Sequence, residues 1–121
     1  MAFSEKAQPR YSSNASWESI VEMMRDKHLD AFADEVVDVI YSKVSSMRYV
    51  ILREENGLFT YQLEALYQYD EDEWQYICSH DNALPAMWEP FRGIEGKSIF
   101  ANIEELKKEL KTEPEYKRYF V

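Results

Sequence analysis

The dipeptide Asn56-Gly57, which lies between two apolar runs, constrains the fold of this chain more than any other feature of its sequence. Asn-Gly is the preferred pair for a two-residue type I′ hairpin turn, because both central residues of that turn have positive φ. A turn at this position would pair Leu52 with Tyr61 and Val50 with Leu63. The sequence therefore predicts an antiparallel hairpin centred on Asn56-Gly57.

A second turn is predicted at Asp70–Glu73, a run of four acidic residues. It would pair Tyr67 with Tyr76 and complete a three-stranded meander from Met47 to Ser79. Because strand side chains alternate with a period of two, each turn assigns the strand faces independently, and the two assignments agree. The face opposite the core is mixed and begins with Tyr49 and Ile51. The predicted core face carries Val50, Leu52, Phe59, Tyr61, Leu63, Ala65, Tyr67, Tyr69, Trp74, Tyr76 and Cys78.

Helices are predicted before the meander. Ser16 is a candidate N-cap for a helix that begins at Trp17. A second helical pattern follows Asp30, and the two patterns are also compatible with one long helix, since neither contains Gly or Pro. The apolar side of the second pattern consists of Phe32, Val36, Val37, Ile40 and Val44.

Helices are also predicted after the meander. Asn102 with Glu105 three residues later is a capping-box pattern at the start of a helix. Thr112 with Glu115 repeats the pattern before a short C-terminal helix that has Pro114 in its first turn. Ser98-Ile99-Phe100 is a candidate fourth strand.

These elements predict an α+β domain with an antiparallel meander of three to four strands, covered by N-terminal helices and a C-terminal helix. A chain of 121 residues is long enough to bury roughly two-thirds of its unfolded surface in one core. We assign residues 15–121 to this single domain and residues 1–14 to a flexible N-terminal segment.

The net charge is −9, from 14 basic and 23 acidic residues. Such a chain repels nucleic acid and attracts a basic partner by complementary potential. No apolar run approaches the ~20 residues of a membrane span, and the first residues lack the apolar centre of a signal peptide. The single cysteine, Cys78, does not allow an internal disulfide framework. We therefore expect a cytoplasmic protein that binds neither nucleic acid nor membrane.

The residue types of common catalytic and metal sites do not occur in their usual spacings. Cys78, with His80 two residues later, is interpreted as a structural cysteine on a strand. One Cys and two His do not supply the four ligands of a structural zinc. The acidic run at Asp70–Glu73 lacks the Gly and Glu that complete a calcium loop. We predict no catalytic residues, no metal and no cofactor.

The segment 80–96 contains two of the four Pro and two of the three Gly residues, and it is predicted to be a long loop. Met87, Trp88 and Phe91 give this segment the composition of a binding hot spot. The alternative interpretation is that these side chains close one end of the core.

The predicted function is a non-enzymatic protein-interaction domain with a basic protein partner. The analogy to an inhibitor or immunity-type protein rests on fold and composition alone. The alternative function is a small-molecule binder with a Tyr/Trp-lined pocket between helix and sheet. A third hypothesis is a homodimer that pairs sheet edges through the strand Arg48–Glu54. The predicted binding residues are Trp88, Met87, Phe91, Asp70, Glu71, Asp72, Glu73, Tyr61, Tyr67 and Tyr76.

Overall fold

The computed structural model describes residues 16–78, 83–91 and 98–121. Four antiparallel strands form one sheet, in which the strands lie side by side in chain order. This confirms the predicted α+β class and antiparallel meander. In the described part of the chain, no helix has the length and apolar character needed to cross a membrane. The elements are α1 Trp17–Met24, a 3₁₀ turn Leu29–Ala31, β1 Glu35–Tyr41, β2 Met47–Arg53, β3 Phe59–Gln68, α2 Glu71–Ile77, β4 Ala86–Pro90, α3 Ile103–Leu110 and α4 Pro114–Tyr119.

The β2–β3 hairpin forms at the predicted place, but its loop has three residues rather than two. Glu54 and Leu58 close the loop, with the Glu54 N–H donating to the Leu58 carbonyl at 2.8 Å. Gly57 has positive φ (85°) and Asn56 does not, so the type I′ conformation is not adopted. Instead, the Asn56 side chain accepts the N–H of Leu58 at 3.0 Å. A turn that ends in a left-handed Gly is typical of three-residue hairpin loops.

The extra loop residue shifts the register by one position and corrects the predicted core face of β2. Ile51 pairs with Tyr61 and Tyr49 pairs with Leu63. A shift of one residue exchanges the two faces of a strand. Tyr49 and Ile51, which were predicted on the mixed face, therefore share a face with Tyr61, whereas Val50 lies on the other face.

The residues predicted as a second N-terminal helix form the strand β1 instead. Four of the seven residues of β1 are β-branched, and these side chains fit a pleated strand better than a helix. β1 pairs with β2 along its length, with an irregularity between Val36 and Asp38. β2 is therefore an inner strand, and the predicted edge strand Arg48–Glu54 is not at the edge of the sheet.

Two further predictions are corrected after β3. The acidic turn and the third strand, which included Trp74, Tyr76 and Cys78, are replaced by α2, with Asp70 as its N-cap. Within the predicted long loop, Ala86–Pro90 form the edge strand β4. Pro90 has no N–H to donate to a neighbouring strand. It is tolerated because it is the last residue of β4, which pairs with β3 on one side only.

Helix α1 covers one face of the sheet, which we call the α1 face. Ser16 caps the helix as predicted, accepting the Ser19 N–H at 3.2 Å. The apolar side of α1 packs against side chains of β3 and β4, and this core consists of Ile20, Val21, Met24, Leu66, Ala86 and Trp88.

Sheet side chains satisfy carbonyls at the end of α1 and just after it. The buried Arg48 donates to the carbonyls of Arg25 and Lys27 at 3.3 and 3.0 Å. The Trp88 indole N–H donates to the Met24 carbonyl at 2.8 Å. The tertiary structure thus replaces the basic residues that a helix C-terminus usually carries.

Helices α3 and α4 cover the opposite face, which we call the α3–α4 face. Asn102 caps α3 as predicted, accepting the Glu105 N–H at 2.9 Å. Glu113 rather than Thr112 is the N-cap residue of α4, while the Thr112 hydroxyl donates to the Glu109 carbonyl. Phe100 forms an isolated bridge with Phe59 where a fourth strand was predicted. The buried centre of this face consists of Tyr49, Ile51, Leu106 and Leu110.

Candidate functional site

The N-terminal end of α2 places acidic side chains beside the end of β3. The Asp70 carboxylate accepts the Glu73 N–H at 2.8 Å, and the Glu73 carboxylate accepts the Asp70 N–H at 2.9 Å. This reciprocal pair is a complete capping box, which fixes both side chains. The acidic run Asp70–Glu73 also lies at the positive end of the helix dipole, which stabilises its negative charges.

Tyr67, near the end of β3, is tied to this helix start. Its hydroxyl donates to Glu73 Oε1 at 2.8 Å, yet its side chain remains 41% exposed. The bond to Glu73 is the largest cause of a raised pKa for Tyr67. Burial and the negative charges of Glu73, Asp70 and Glu89 add to the rise in that pKa. An exposed tyrosine is thus hydrogen-bonded to one carboxylate and feels the negative charge of two more.

The neighbours of Tyr67 on the same sheet face come from β3 and β4. Met87 is the direct cross-strand partner of Tyr67, and the Tyr69 ring packs edge-on at a centroid distance of 5.9 Å. Burial and the charges of Glu73 and Glu89 raise the pKa of Tyr69. We name this group the Tyr67 surface; it consists of Tyr67, Tyr69, Asp70, Glu73, Met87 and Glu89.

The Tyr67 surface lies beyond the packed part of the α3–α4 face. The core under α3 and α4 includes Tyr61 and Leu63 of β3 but not Tyr67. Among the described residues, no cation forms an ion pair with its carboxylates. The ion pairs in that part of the chain join Arg48 to Glu64, Arg53 to Glu35 and Lys107 to Asp38.

The remaining acidic and aromatic candidates lie at two places. Glu71, Asp72 and Tyr76 are exposed on α2, and Tyr76 is 81% exposed. Phe91 follows β4 and packs edge-on against Tyr119 of α4 at a centroid distance of 6.5 Å. A shallow cavity of about 260 Å³ lies beside this pair, lined also by Pro114, Glu115 and Arg118.

Tyr61 and Trp88 lie on opposite faces of the sheet, so they do not line one pocket. The Tyr61 hydroxyl donates to Glu113 Oε2 at 2.6 Å, and the Tyr49 hydroxyl donates to Oε1 of the same carboxylate at 2.8 Å. Trp88 is buried on the α1 face beside Arg48. The predicted Tyr/Trp-lined pocket would need Tyr61, Tyr67, Tyr76 and Trp88 to converge, and they do not.

Of the two residues considered for catalysis, the structure describes Cys78 and does not describe His80. Cys78 is half-buried at the C-cap of α2, where its thiol donates to the Gln75 carbonyl at 3.7 Å. The sequence had indicated that Cys78 lies on a strand, and this prediction is wrong. His80 lies outside the described residues. Within the described ranges, no group of three His, Cys, Asp or Glu side chains is arranged to hold a metal ion.

Sequence reasoning missed two members of the Tyr67 surface, Tyr69 and Glu89. Tyr69 was assigned to the core because the third strand was expected to continue the sheet. Glu89 was overlooked in a segment read as a loop. In the structure, residues 86–90 alternate between buried and less buried positions. The sequence does not show this alternation, because Ala86, Met87 and Trp88 are all apolar. Met87 and Glu89 lie on the same side of that pattern.

Comparisons with protein-family models, with curated proteins and with solved structures give no match to this chain.

Proposed function

We propose that this chain is a non-enzymatic protein-interaction domain that binds a basic partner protein through the Tyr67 surface. The observation that supports the proposal best is an exposed tyrosine among three carboxylates that have no ion-pair partner in the described residues. The net charge of −9 adds a long-range attraction that raises the association rate of a basic protein.

The chemistry of the surface suits a lysine or arginine side chain of the partner. A cation over the Tyr67 ring is stabilised by about 0.5–1 kcal/mol at an exposed position. Each exposed ion pair with Asp70, Glu73 or Glu89 adds roughly 0.2–1 kcal/mol. Met87 supplies an apolar contact that adapts to different shapes. Because each contribution is small, useful affinity requires several of these contacts together.

An inhibitor fits this proposal, since a domain that covers a basic surface can block the function of that surface without any catalysis. Immunity-type proteins are one group that acts in this way. We also propose a cytoplasmic location, which suits a chain with one cysteine among 121 residues.

The first test is co-purification from native lysate at low salt, repeated at high salt, with intact-mass analysis of the bound material. We expect a protein that is lost as the salt concentration rises, because salt screens contacts between exposed charges. A small molecule retained at both salt concentrations would contradict the proposal and favour the ligand-binding alternative.

The second test assigns the binding to the Tyr67 surface. The variant Glu89→Lys reverses a charge at the surface and should weaken binding of the captured partner by roughly fivefold or more, which corresponds to about 1 kcal/mol. Glu109→Lys is the matched control, because Glu109 is exposed on α3 and the change in net charge is the same. Equal loss of binding in both variants would show that net charge, not this surface, determines the affinity.

A further inference from the structure

An open groove lies between α1 and the turn that joins β1 to β2. Its volume is about 680 Å³, within the range of ligand-binding clefts. Its apolar lining includes Trp17 and Val21 from the helix and Val44 from the turn. Trp17 is 37% exposed and Val44 is 69% exposed. Two large apolar side chains thus remain accessible on either side of a cleft.

Apart from Arg25, the charges around this groove are separated by sign. Glu18 and Glu22 line the α1 side, and residues four apart lie on the same face of a helix. Lys43 lies in the turn on the other side. No described residue forms an ion pair with any of these three side chains.

Arg25, at the end of α1, is in contrast already held within the protein. Its Nη1 donates to the Ser45 hydroxyl at 2.8 Å, and its guanidinium lies 4.0 Å from the centroid of the Tyr41 ring. These contacts link the end of α1 to β1 and to the β1–β2 turn.

We propose that this groove binds a short segment of a partner protein with a large apolar side chain between a basic and an acidic residue. The apolar side chain lies between Trp17 and Val44. The basic residue faces Glu18 and Glu22, and the acidic residue faces Lys43. Charge complementarity supports this occupant, because Glu18 and Glu22 attract a basic residue and Lys43 attracts an acidic one, whereas an uncharged apolar ligand makes neither contact.

The probe is a set of five-residue peptides, acetylated and amidated, with Phe at the centre. One peptide carries Lys and Asp at its ends, a second carries them in the opposite order, and a third carries Ser at both ends. Trp17 fluorescence reports binding, because Trp74 and Trp88 are only 5% and 6% exposed. Amide chemical-shift changes in the full chain locate the site. We expect at least a fivefold lower Kd for one charged order than for the Ser peptide.

Two variants test the location. Val44→Asp should weaken binding of the preferred peptide at least fivefold, since it places a charge in the apolar cleft. Val121→Asp is the matched control, because Val121 is 66% exposed at the C-terminal end and is not part of the groove. Glu22→Lys should reduce the preference for the charged peptide over the Ser peptide.

Several outcomes would overturn the proposal. These are no binding of any peptide, equal affinity for the charged and Ser peptides, and shift changes outside α1 and the β1–β2 turn. Binding that requires removal of residues 1–15 would show that the chain occupies its own groove. A dimer in analytical ultracentrifugation that Val44→Asp dissociates would assign the groove to a second copy of the chain.

Discussion

Replacement of Arg48 by Met removes the guanidinium that connects α1 to the sheet. The Arg48 side chain is fully buried, and its Nε donates to Glu64 Oε1 at 2.8 Å. Its Nη1 donates to the carbonyls of Arg25 and Lys27 just after α1, and its guanidinium lies 4.2 Å from the centroid of the Trp88 ring. In Arg48→Met, the buried Glu64 carboxylate keeps only the bond from Gln62 at 3.0 Å among the residues that the structure describes.

The expected loss is about 3–5 kcal/mol of the free energy of unfolding, because breaking a buried pair leaves an uncompensated charge in the interior. A domain of this size is stable by only about 5–15 kcal/mol. Arg48 is not an ideally satisfied group, since its Nη2 is buried without a hydrogen-bond partner in the described structure. Replacing both charges by apolar residues should therefore cost less than removing one.

Urea denaturation, followed by tryptophan fluorescence and circular dichroism, measures these differences. Arg48→Met/Glu64→Leu should be more stable than Arg48→Met by at least about 1 kcal/mol. Arg53→Met is the matched control in the same strand, because Arg53 pairs with Glu35 at 3.4 Å with both side chains about half exposed. That variant should lose less than about 1 kcal/mol. If Arg48→Met and Arg53→Met lose equal stability, the reasoning about the buried pair is refuted.

Three further predictions concern the hairpin, a helix cap and the response to alkaline pH. Gly57→Ala should lower the free energy of unfolding, measured by urea denaturation, by about 1 kcal/mol, because Gly57 has a φ of +85°. The effect comes from the backbone, since an added Cβ meets nothing within 4 Å. Gly57→Asn should lower the free energy of unfolding less, and equal losses would contradict a backbone origin. Asn102→Ala should lower the free energy of unfolding by about 1 kcal/mol through loss of the α3 cap, whereas unchanged stability would mean that water replaces the cap. Burial, and then the bond to Glu113, raise the pKa of Tyr49 above its ordinary 10.0. The unfolded state therefore ionises first, so the stability from Tyr49 is complete below about pH 10 and is lost as the pH rises further. Tyr49→Phe should make that alkaline decline in the urea midpoint shallower, and an unchanged slope would contradict this assignment.

The hairpin illustrates what the sequence can and cannot predict. Asn56-Gly57 located the turn correctly, because a left-handed residue was needed there and Gly57 provides it. The dipeptide did not determine the loop length, since Gly also ends a three-residue loop. That single residue decided whether Tyr49 and Ile51 or Val50 and Leu52 pack under α3 and α4. All four are apolar, so hydrophobicity could not correct the error, and burial on both sheet faces removed the usual alternation.

The helix and strand assignments failed where local patterns were ambiguous. Glu35–Tyr41 satisfies both a helical and a strand pattern, and pairing with β2, a contact distant in sequence, decides for the strand. Asp70 and Glu73 are a capping box in the sequence itself, with the same spacing as Asn102 and Glu105. That helix start was therefore predictable, but the acidic run was interpreted as a hairpin turn because it follows a strand.

The candidate site was predicted in part for the same reasons. Asp70 and Glu73 were chosen for charge, Met87 for composition and Tyr67 as the lining of an interior pocket. The fold brings these four side chains together at the surface. Tyr61 and Trp88 were chosen for the same composition, but their polar atoms bind Glu113 and the Met24 carbonyl. Only the register reveals this difference, because it determines which face of the sheet each side chain occupies.

The sheet is covered by helices on both faces, which limits where a partner can bind. The Tyr67 surface lies on the α3–α4 face, at the end of β3 that the α3–α4 core does not include. The α1 groove lies beside a helix that packs on the opposite face. Since the two surfaces share no residue, changes in them should act independently. The double variant Glu89→Lys/Val44→Asp should therefore weaken the binding of each ligand by the same factor as the corresponding single variant. An effect of Val44→Asp on the proposed basic partner would show instead that one partner contacts both surfaces.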